Sequence, residues 1–491
     1  MKIIVKDLNW GKQAKNLGLF YFSKIRPEHN TVWKKLKAVD RRALSEYFKN
    51  KDFTGELSEQ KTIYNKDRKI FLLGLGEVKK WNLRKLVNAS RRLALLCKAE
   101  KKSSVAVYLD NLLVTGLTVE KTAQTLVENF VMASYEFSKY KKLENKTEVS
   151  ELIIISDVKL HLAITVGAKT GQIIGEQVNE ARDLANTPGG DMTPSVLASN
   201  ALAAGKKYGF KVLVMNESAI RKNKMGAILG VARGSEESPK FIIMEYWGTD
   251  KKEAPYVLVG KGVTFDTGGL NLKTEMSMLD MHLDMSGGAA VIHALAAIAL
   301  LKLKHNVIGL IPAVENMPGG AGYRPGDLIK GLSGKTIEVL NTDAEGRIIL
   351  SDALTYAEKY RPKLVVDVAT LTGACMVALG CITSGLMTPD LNLQKKLEQI
   401  GELSGDYVWP LPMWEEYEDE IKGTFGDVQN VGKTRYGGAI TGAMFLYQFA
   451  KKYPWAHIDI AGPMKAVEGQ FLAKGASGVG VRFLVELIAK A

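Results

Sequence analysis

The sequence predicts an α/β protein with two domains, and two observations support this prediction. Strand-like segments alternate with amphipathic helical segments along the 491 residues, a pattern typical of layered α/β folds. The breaker-rich segment Asn186–Pro194 interrupts that pattern and predicts a boundary. We therefore expect one α/β domain at residues 1–165, a linker helix and loop at 166–190, and a second α/β domain at 191–491.

In the first domain, short apolar segments bounded by polar residues predict strands, and longer amphipathic segments predict helices. The predicted strands are Lys2–Val5, Lys69–Leu75, Val105–Leu109 and Leu152–Ser156. The predicted helices are Leu83–Ala99 and Glu120–Tyr135, and a helical stretch follows at about Thr170–Leu184. Their alternation indicates helices packed on a sheet.

The second domain repeats this alternation. Its predicted strands are Phe241–Tyr246, Tyr256–Val259, Val307–Ile311, Thr336–Leu340, Leu364–Val368 and His457–Ile460. Its predicted helices include Ala289–Leu301 and Ile348–Glu358. The run Ala289–Leu301 is the longest nearly apolar one, with 13 residues, whereas a membrane span needs about 20. We expect a buried helix there and no membrane partner.

Composition indicates the cellular compartment. The three cysteines are too few for a disulfide framework, which favours a reducing compartment. The N-terminus lacks the apolar core of a secretory signal. We therefore expect a cytoplasmic protein.

Positive charge is concentrated in the first third of the chain. Residues 1–160 contain 32 basic and 18 acidic residues, a net charge of +14, whereas the remainder has a net charge of −1. Such asymmetry is compatible with nucleic-acid binding, but a solvated lysine-rich surface is the simpler interpretation. No basic motif with interleaved aromatic residues accompanies the charge, so nucleic-acid binding is not expected to be the main role.

Several common motifs are absent from the sequence. Gly74 and Gly260 each begin a dinucleotide-type fingerprint, but Lys79 and Phe265 stand where its third glycine is required. Neither HExxH nor GxSxG occurs. These observations argue against nucleotide binding, a zinc helix of that type and serine hydrolysis.

Acidic residues and lysines are instead concentrated in two segments, Val259–Ala290 and Asn341–Arg347. Each begins where a predicted strand ends, and ligand sites form at the carboxyl ends of strands in open α/β sheets. The first segment contains Lys261, Asp266, Lys273, Asp280 and Asp284, and the second contains Asp343, Glu345 and Arg347. A shared site is therefore expected.

Four of these carboxylates could enter one pocket: Asp266, Asp284, Asp343 and Glu345. Asp343 and Glu345 are two residues apart and would project to the same side of an extended segment. Four negative charges repel one another unless cations neutralise them. Divalent ions with oxygen ligands satisfy this need, and a bridging carboxylate can hold two ions about 3.5–4 Å apart.

Basic residues among the acids suit a hydrolase with two metal ions. Lys261, Lys273 and Arg347 fit a ligating amine of low pKa, an oxyanion stabiliser and an anion holder. The same cluster could serve a peptidase or a phosphoesterase, so residue chemistry leaves both reactions open.

The segment NTDAEGR resembles the signature of the leucyl (cytosolic) aminopeptidase family, whose members are two-metal exopeptidases. Four further segments look like blocks of this family in the family's order, so the resemblance covers about residues 170–491. They are NTPGGDMTP at Asn186–Pro194, VGKGVTFDTGG at Val259–Gly269, ATLTGAC at Ala369–Cys375 and WAHIDIAGPM at Trp455–Met464. The resemblance implies a variable N-terminal α/β domain and a catalytic α/β domain with a central mixed sheet.

The resemblance also implies the metal ligands. One ion would be bound by Asp266, Asp343 and Glu345. The second would be bound by Lys261, Asp266, Asp284 and Glu345. Mn²⁺ or Zn²⁺ is expected, with Mg²⁺ or Co²⁺ as alternatives, because such ligands accept all four ions.

Catalytic roles follow from the same resemblance. A water bridging the two ions would attack the scissile carbonyl, while the substrate's free amine sits on one ion. Lys273 would donate to the developing oxyanion, and Arg347 would hold a bicarbonate ion that acts as general base. The implied substrate contacts are Met281, Thr370, Leu371, Gly373, Ala461 and Met464, a largely apolar set suited to leucine-like residues.

We therefore expect a metal-dependent aminopeptidase that releases apolar N-terminal residues from short peptides. Proteins similar to it are homohexamers built as dimers of trimers, so the same assembly is expected here.

Overall fold

The computed structural model describes residues 1–65, 68–113, 116–141 and 149–491. The chain divides into two compact units. The first consists of Met1–Glu176 and Glu468–Ala473, and the second of Gln177–Val467 and Lys474–Ala491.

The first unit is a sheet covered by helices. Its strands are β1 Lys2–Asp7, β2 Asn16–Phe22, β3 Gln60–Asn65, β4 Arg68–Gly76, β5 Ser104–Tyr108 and β6 Glu151–Ser156. Its helices are α1 Ala38–Lys49, α2 Leu83–Ala99, α3 Val119–Ser134 and α4 His161–Asn186, the last of which extends beyond Glu176. The strand order is β1-β6-β5-β2-β4-β3, and all neighbours are parallel except β3 and β4.

The predicted strands and the predicted helices Leu83–Ala99 and Glu120–Tyr135 are confirmed within a few residues. Helix α4 begins well before the predicted start at about Thr170, and β2, β3 and α1 were not predicted. Strand β2 is buried along nearly its whole length. Phe20 packs into the core on the α2 and α3 side, whereas Leu19 and Tyr21 pack into the opposite core. A strand covered on both faces has no polar alternation to reveal it.

Among the residues described, the second unit contains the end of α4, ten further α-helices and twelve strands. The strands are β7 Lys211–Met215, β8 Lys240–Trp247, β9 Tyr256–Gly260, β10 Gly262–Asp266, β11 Asn306–Asn316, β12 Leu328–Lys330, β13 Thr336–Glu338, β14 Leu364–Ala369, β15 Ser384–Met387, β16 Val408–Pro410, β17 Val428–Gln429 and β18 Trp455–Asp459. The helices are α5 Pro194–Tyr208, α6 Glu217–Lys222, α7 Gly226–Ala232, α8 Glu275–Met278, α9 Ser286–Leu300, α10 Glu345–Ala357, α11 Gly373–Leu379, α12 Leu391–Ser404, α13 Gly438–Tyr447 and α14 Val481–Ala489.

A nine-stranded mixed sheet forms the centre of this unit. Its order is β16-β15-β18-β14-β9-β11-β8-β7, with β10 paired to β11. Strands β18, β14, β9 and β11 are parallel, whereas β15 is antiparallel to β18, and β8 is antiparallel to both β11 and β7. The predicted two-domain α/β fold is therefore confirmed.

Helix α9 packs on β9, β11 and β14 and is buried over most of its length. The segment Glu275–Leu300 is long and apolar enough to span a membrane, but 94% of its most apolar window is buried inside the protein. This is the environment of a core helix, as the sequence predicted.

Strand β13 differs from expectation, because it pairs with β12 and β17 in a separate three-stranded sheet. The segment Asn341–Arg347 therefore does not follow a strand of the central sheet. It reaches the carboxyl edge of β9 and β14 through the turn that precedes α10, which packs on β9 and β11.

Candidate active site

Strands β9 and β10 position the first site residues. Lys261 lies between them, and its N–H donates to the Val368 carbonyl of β14 at 3.1 Å. Asp266 is the last residue of β10. This strand pairs with β11, and the register of the pairing shifts between Val263 and Phe265. Pairing with β11 makes residues 262–266 a strand.

A turn and a helix position Asp343 and Glu345. Asp343 lies in a turn, and Glu345 is the first residue of α10. The expectation that an extended segment brings these two carboxylates together is therefore wrong; the chain bends into α10 between them. Gly346 follows, and a Cβ at that position would lie 2.7 Å from Lys261 Nζ. Glycine therefore lets the lysine lie against the start of α10, and a larger residue would displace the lysine side chain.

Two lysines lie among the four predicted carboxylates. Lys261 Nζ is 2.8 Å from Asp284 Oδ2 and 2.8 Å from Glu345 Oε1. Lys273 Nζ is 2.9 Å from Asp266 Oδ2 and 2.5 Å from Asp343 Oδ1. The residues are at most one-third exposed. The two ammonium groups can neutralise only two of the four carboxylates.

The uncompensated charge appears in the pKa values. Burial and repulsion from Glu345 raise the pKa of Asp266 to about 6. Burial likewise raises the pKa of Asp284 well above its ordinary value, despite the opposing effect of Lys261. Burial alone would lower the pKa of Lys261, but Asp284 and Glu345 outweigh it and raise that pKa, so the expectation of a low pKa for this amine is wrong for the cluster by itself. The cluster thus favours additional positive charge.

The donor set fits divalent metal ions. Asp266, Asp343 and Glu345 each offer a carboxylate oxygen, and these oxygens all lie within 4.8 Å of one another. Buried oxygens of Asp284, Asp343 and Glu345 face the lysines as ion pairs but form no well-directed hydrogen bond within the described part of the chain. Carboxylate oxygens are ligands that divalent ions prefer.

Polar neighbours orient this cluster. Asn316, the last residue of β11, donates through Nδ2 to Asp266 Oδ1 at 2.8 Å and to the Thr342 carbonyl at 3.0 Å. Tyr323 donates to the same carbonyl at 2.7 Å. The Thr342 hydroxyl donates to the Gly268 carbonyl at 2.6 Å. Sequence reasoning missed these residues, because their contacts join segments that are far apart in the sequence.

A cavity of about 620 Å³ contains the cluster. Its lining includes every predicted site residue except Arg347, namely Lys261, Asp266, Lys273, Met281, Asp284, Asp343, Glu345, Thr370, Leu371, Gly373, Ala461 and Met464. Nine lining residues were not among the predicted site residues: Asn271, Leu272, Thr274, Met276, Ser277, Asp280, Asn341, Thr372 and Met376. The structure therefore brings the predicted metal ligands and the predicted apolar contacts into one cavity.

Arg347 lies on α10, is buried, and is not part of this lining. Its Nη1 donates to the Asn430 carbonyl at 2.8 Å, and its Nε has no hydrogen-bond partner among the residues that the structure describes. Burial lowers its pKa to about 10, with Glu345 and Asp459 opposing that effect. The guanidinium remains cationic at neutral pH and keeps an unpaired donor.

Comparison with known proteins identifies the family. The N-terminal domain of the cytosol aminopeptidase family matches residues 17–143, and the catalytic domain of that family matches residues 179–485. The chain belongs to the cytosol aminopeptidase family. It is therefore an aminopeptidase of a metal-dependent family, and this decides between the peptidase and the phosphoesterase that the acidic cluster left open.

Individual relatives agree with this assignment. The "Cytosol aminopeptidase" of Pseudomonas aeruginosa is 38% identical over 461 residues, which cover 92% of each chain. A "Probable cytosol aminopeptidase" of Aromatoleum aromaticum is 47% identical over 390 residues, covering 79% of this chain and 77% of that one.

Solved structures of similar proteins share the fold. A mutant of tomato leucine aminopeptidase is 32% identical, with a TM-score of 0.88 over 100% of this chain and 97% of that chain. The bottromycin maturation enzyme BotP in complex with Mn is 29% identical, with a TM-score of 0.85 over 97% of this chain and 99% of that chain. Both cytosol aminopeptidase domains of this chain are thus represented in known folds.

Proposed function

We propose that this cytosol aminopeptidase releases leucine and other apolar residues from the N-termini of short peptides. The observation that carries the proposal is the shared cavity. It is lined by the four clustered carboxylates, by Asp280 and by the apolar side chains of Met281, Ala461 and Met464. If the apolar side chain of a substrate's N-terminal residue is bound against Met281, Ala461 and Met464, the adjacent peptide bond lies beside the carboxylates.

The proposed metal ligands are Asp266, Asp343 and Glu345 for one ion, and Lys261, Asp266, Asp284 and Glu345 for the other. Divalent ions held by these residues would polarise the scissile carbonyl and lower the pKa of a water toward neutrality, so that it could act as the nucleophile. Mn²⁺ is favoured by the manganese complex of the structural neighbour; Zn²⁺, Mg²⁺ and Co²⁺ suit the same ligands.

Lys273 is proposed to stabilise the oxyanion. Its ammonium group lines the cavity beside Asp266 and Asp343. Burial alone would lower the pKa of Lys273, but Asp266, Glu345 and Asp343 raise it, so the side chain stays protonated. A fixed cation near the developing negative charge lowers the barrier of the reaction.

Arg347 is proposed to hold a bicarbonate ion that accepts the proton of the attacking water. The unpaired Nε of its guanidinium supports this role, because a buried donor without a partner favours an anion. The carboxylates of the cluster are assigned to the metal ions, so the proposed reaction takes its base from the bicarbonate ion and not from these side chains.

Two further proposals concern the cellular form of the protein. The family name supports a cytoplasmic location, and the resemblance of the sequence supports a homohexamer arranged as a dimer of trimers. Nucleic-acid binding by the basic first domain is not expected to be the main role. A salt titration would test for it, because phosphate-driven binding weakens steeply with salt.

The test is hydrolysis of leucine amide by metal-stripped protein, with and without added Mn²⁺ or Zn²⁺. The control is a double variant, Asp343→Ala with Glu345→Ala. We expect activity that requires metal and is absent from the double variant. A folded wild-type protein that binds metal and leaves leucine amide and other apolar amides intact would contradict the proposal.

A further inference from the structure

Asp459 is a buried acid that the proposed chemistry does not use. It is the last residue of β18 and is fully buried. Its Oδ1 accepts hydrogen bonds from Leu371 N at 3.0 Å and Ala461 N at 3.1 Å. Its Oδ2 accepts from Thr372 Oγ1 at 2.7 Å. One carboxylate thus joins the segments that leave two neighbouring parallel strands, β14 and β18.

The segment after β14 is also tied to the acidic cluster. Thr370 Oγ1 donates to Asp284 Oδ1 at 2.7 Å, and Lys261 Nζ donates to the Thr370 carbonyl at 3.0 Å. Thr370 and Leu371 are consecutive, so the acidic cluster and Asp459 restrain adjacent peptide units. The position of the cavity wall relative to the carboxylates therefore depends on both.

We propose that Asp459 is a positioning residue for side-chain specificity, because it sets the spacing between the acidic cluster and the wall formed by Leu371 and Ala461. This inference rests on the proposed function, in which those two residues contact the substrate. Asp459 does not line the cavity, so it acts through the segments it holds. Its bond to Leu371 N leaves the carbonyl and side chain of Leu371 for the substrate.

In this arrangement both side-chain oxygens of Asp459 must accept hydrogen bonds. The Thr372 hydroxyl accepts from Cys375 N at 3.0 Å, capping α11, and directs its own hydrogen to Asp459 Oδ2. In Asp459→Asn an amide can take the place of Oδ2, and the hydroxyl then loses its acceptor. The substitution hardly changes volume, so it displaces the wall without creating a cavity.

The experiment compares kcat and KM of Asp459→Asn and the wild-type protein on leucine, methionine, alanine and glycine amides. The matched control is Asp367→Asn. Asp367 is an equally buried acid on β14 that accepts from Trp455 Nε1 at 2.7 Å and pairs with His457, and it does not line the cavity. Calorimetric titration with Mn²⁺ reports whether the acidic cluster is intact.

For Asp459→Asn we expect the preference for leucine over alanine amide to fall about tenfold, mainly through a raised KM for leucine amide, since small displacements of a binding wall have effects of this size. Mn²⁺ affinity should stay near that of the wild-type protein. Asp367→Asn should keep the wild-type preference even if it unfolds more readily. An unchanged preference in Asp459→Asn, or equal changes in both variants, would overturn the inference.

Failure of the proposed function gives a different result. If the wild-type protein shows no preference for leucine over alanine amide, the proposed substrate class is wrong. Asp459 is then judged on the amide that the wild-type protein hydrolyses best, where a KM raised only in Asp459→Asn supports the inference and an unchanged KM overturns it.

If Asp459→Asn does not fold, Thr372→Val and Thr372→Ser replace it. A larger KM change for valine, which lacks the hydroxyl, supports the inference, and equal changes overturn it.

Discussion

Asn316 and Asp266 are joined by a buried hydrogen bond of 2.8 Å from Asn316 Nδ2 to Asp266 Oδ1. The same oxygen accepts from Gly268 N at 2.8 Å. Both bonds direct Asp266 Oδ2 toward Lys273, 2.9 Å away. Asn316 therefore fixes the carboxylate that is proposed to contact both metal ions.

Removing this support should weaken metal binding. We expect Asn316→Ala to lower Mn²⁺ affinity about 10- to 100-fold, the usual effect of losing a residue that orients a metal ligand. Titration calorimetry on metal-stripped protein measures it. The control is Asn306→Ala, because Asn306 lies at the other end of β11 and donates to the Asp250 and Glu253 carbonyls. Equal losses of affinity in the two variants would contradict the role of Asn316.

Removing the Lys273 ammonium should slow catalysis without weakening metal binding. We expect Lys273→Met to lower kcat about 100- to 1,000-fold, as the loss of an oxyanion donor does. Mn²⁺ affinity should equal or exceed that of the wild-type protein, because a competing cation beside Asp266 and Asp343 is gone. Lys335→Met is the control, since Lys335 is also half-buried but donates to the Gln448 carbonyl. A fall in kcat that merely follows lost metal would exclude the oxyanion role.

The proposed bicarbonate ion should be visible in the kinetics. In bicarbonate-free buffer the wild-type protein should lose about a hundredfold in kcat, the contribution of a general base, and recover on addition of bicarbonate but not of chloride at equal ionic strength. Arg347→Met should be slow in both buffers. Arg347→Lys keeps the charge without the planar donor group, so it should recover only in part. A wild-type rate that does not depend on bicarbonate would refute this base.

His293 should make stability fall in acid. It is buried in the second unit, where its Nδ1 lies 2.9 Å from Gln177 Oε1. Burial lowers its pKa from 6.5 to about 4, although Glu180 opposes this effect. The folded state thus favours neutral histidine, and this contribution is complete above pH 6.5 and lost as the pH falls toward 4.

Urea unfolding of the wild-type protein and His293→Gln measures this effect. Between about pH 7 and about pH 4, the wild-type free energy of unfolding should fall by about 3 kcal/mol more than that of the variant. His305→Gln is the control, because His305 packs edge-on against Tyr256 in the same unit. The prediction is wrong if wild-type protein and His293→Gln lose stability in parallel.

Local patterns predicted much of the secondary structure. Helix α2 has the predicted bounds, Leu83–Ala99, because the amphipathic pattern continues over the whole helix. The Asn82 side chain caps its start by accepting a hydrogen bond from Lys85 N. Strand β3 escaped prediction because its residues are mostly exposed and polar. Its place in the sheet depends on antiparallel pairing with β4.

The residues of the site could likewise be predicted from local patterns only in part. Asp266 and Glu345 could be predicted to share a site because charged residues are concentrated in two segments that each follow a predicted strand. Repulsion between their carboxylates requires cations. The contributions of Asn316 and Asp459 could not be predicted. Asn316 is 50 residues from Asp266 in the sequence, and Asp459 is 88 residues from Leu371. No local pattern records contacts over such separations.

The sequence by itself determined the fold class, the family and the identity of the chemical groups, because periodicity, charge and motif composition are properties of neighbouring residues. Only the tertiary structure decided how these groups meet. The parallel order of β18, β14, β9 and β11 places four strand ends at one edge of the sheet, and the turn into α10 brings Asp343 and Glu345 to it. Buried hydrogen bonds across that edge then fix the carboxylates and the cavity wall, since a buried polar group must find its partner wherever the chain supplies one.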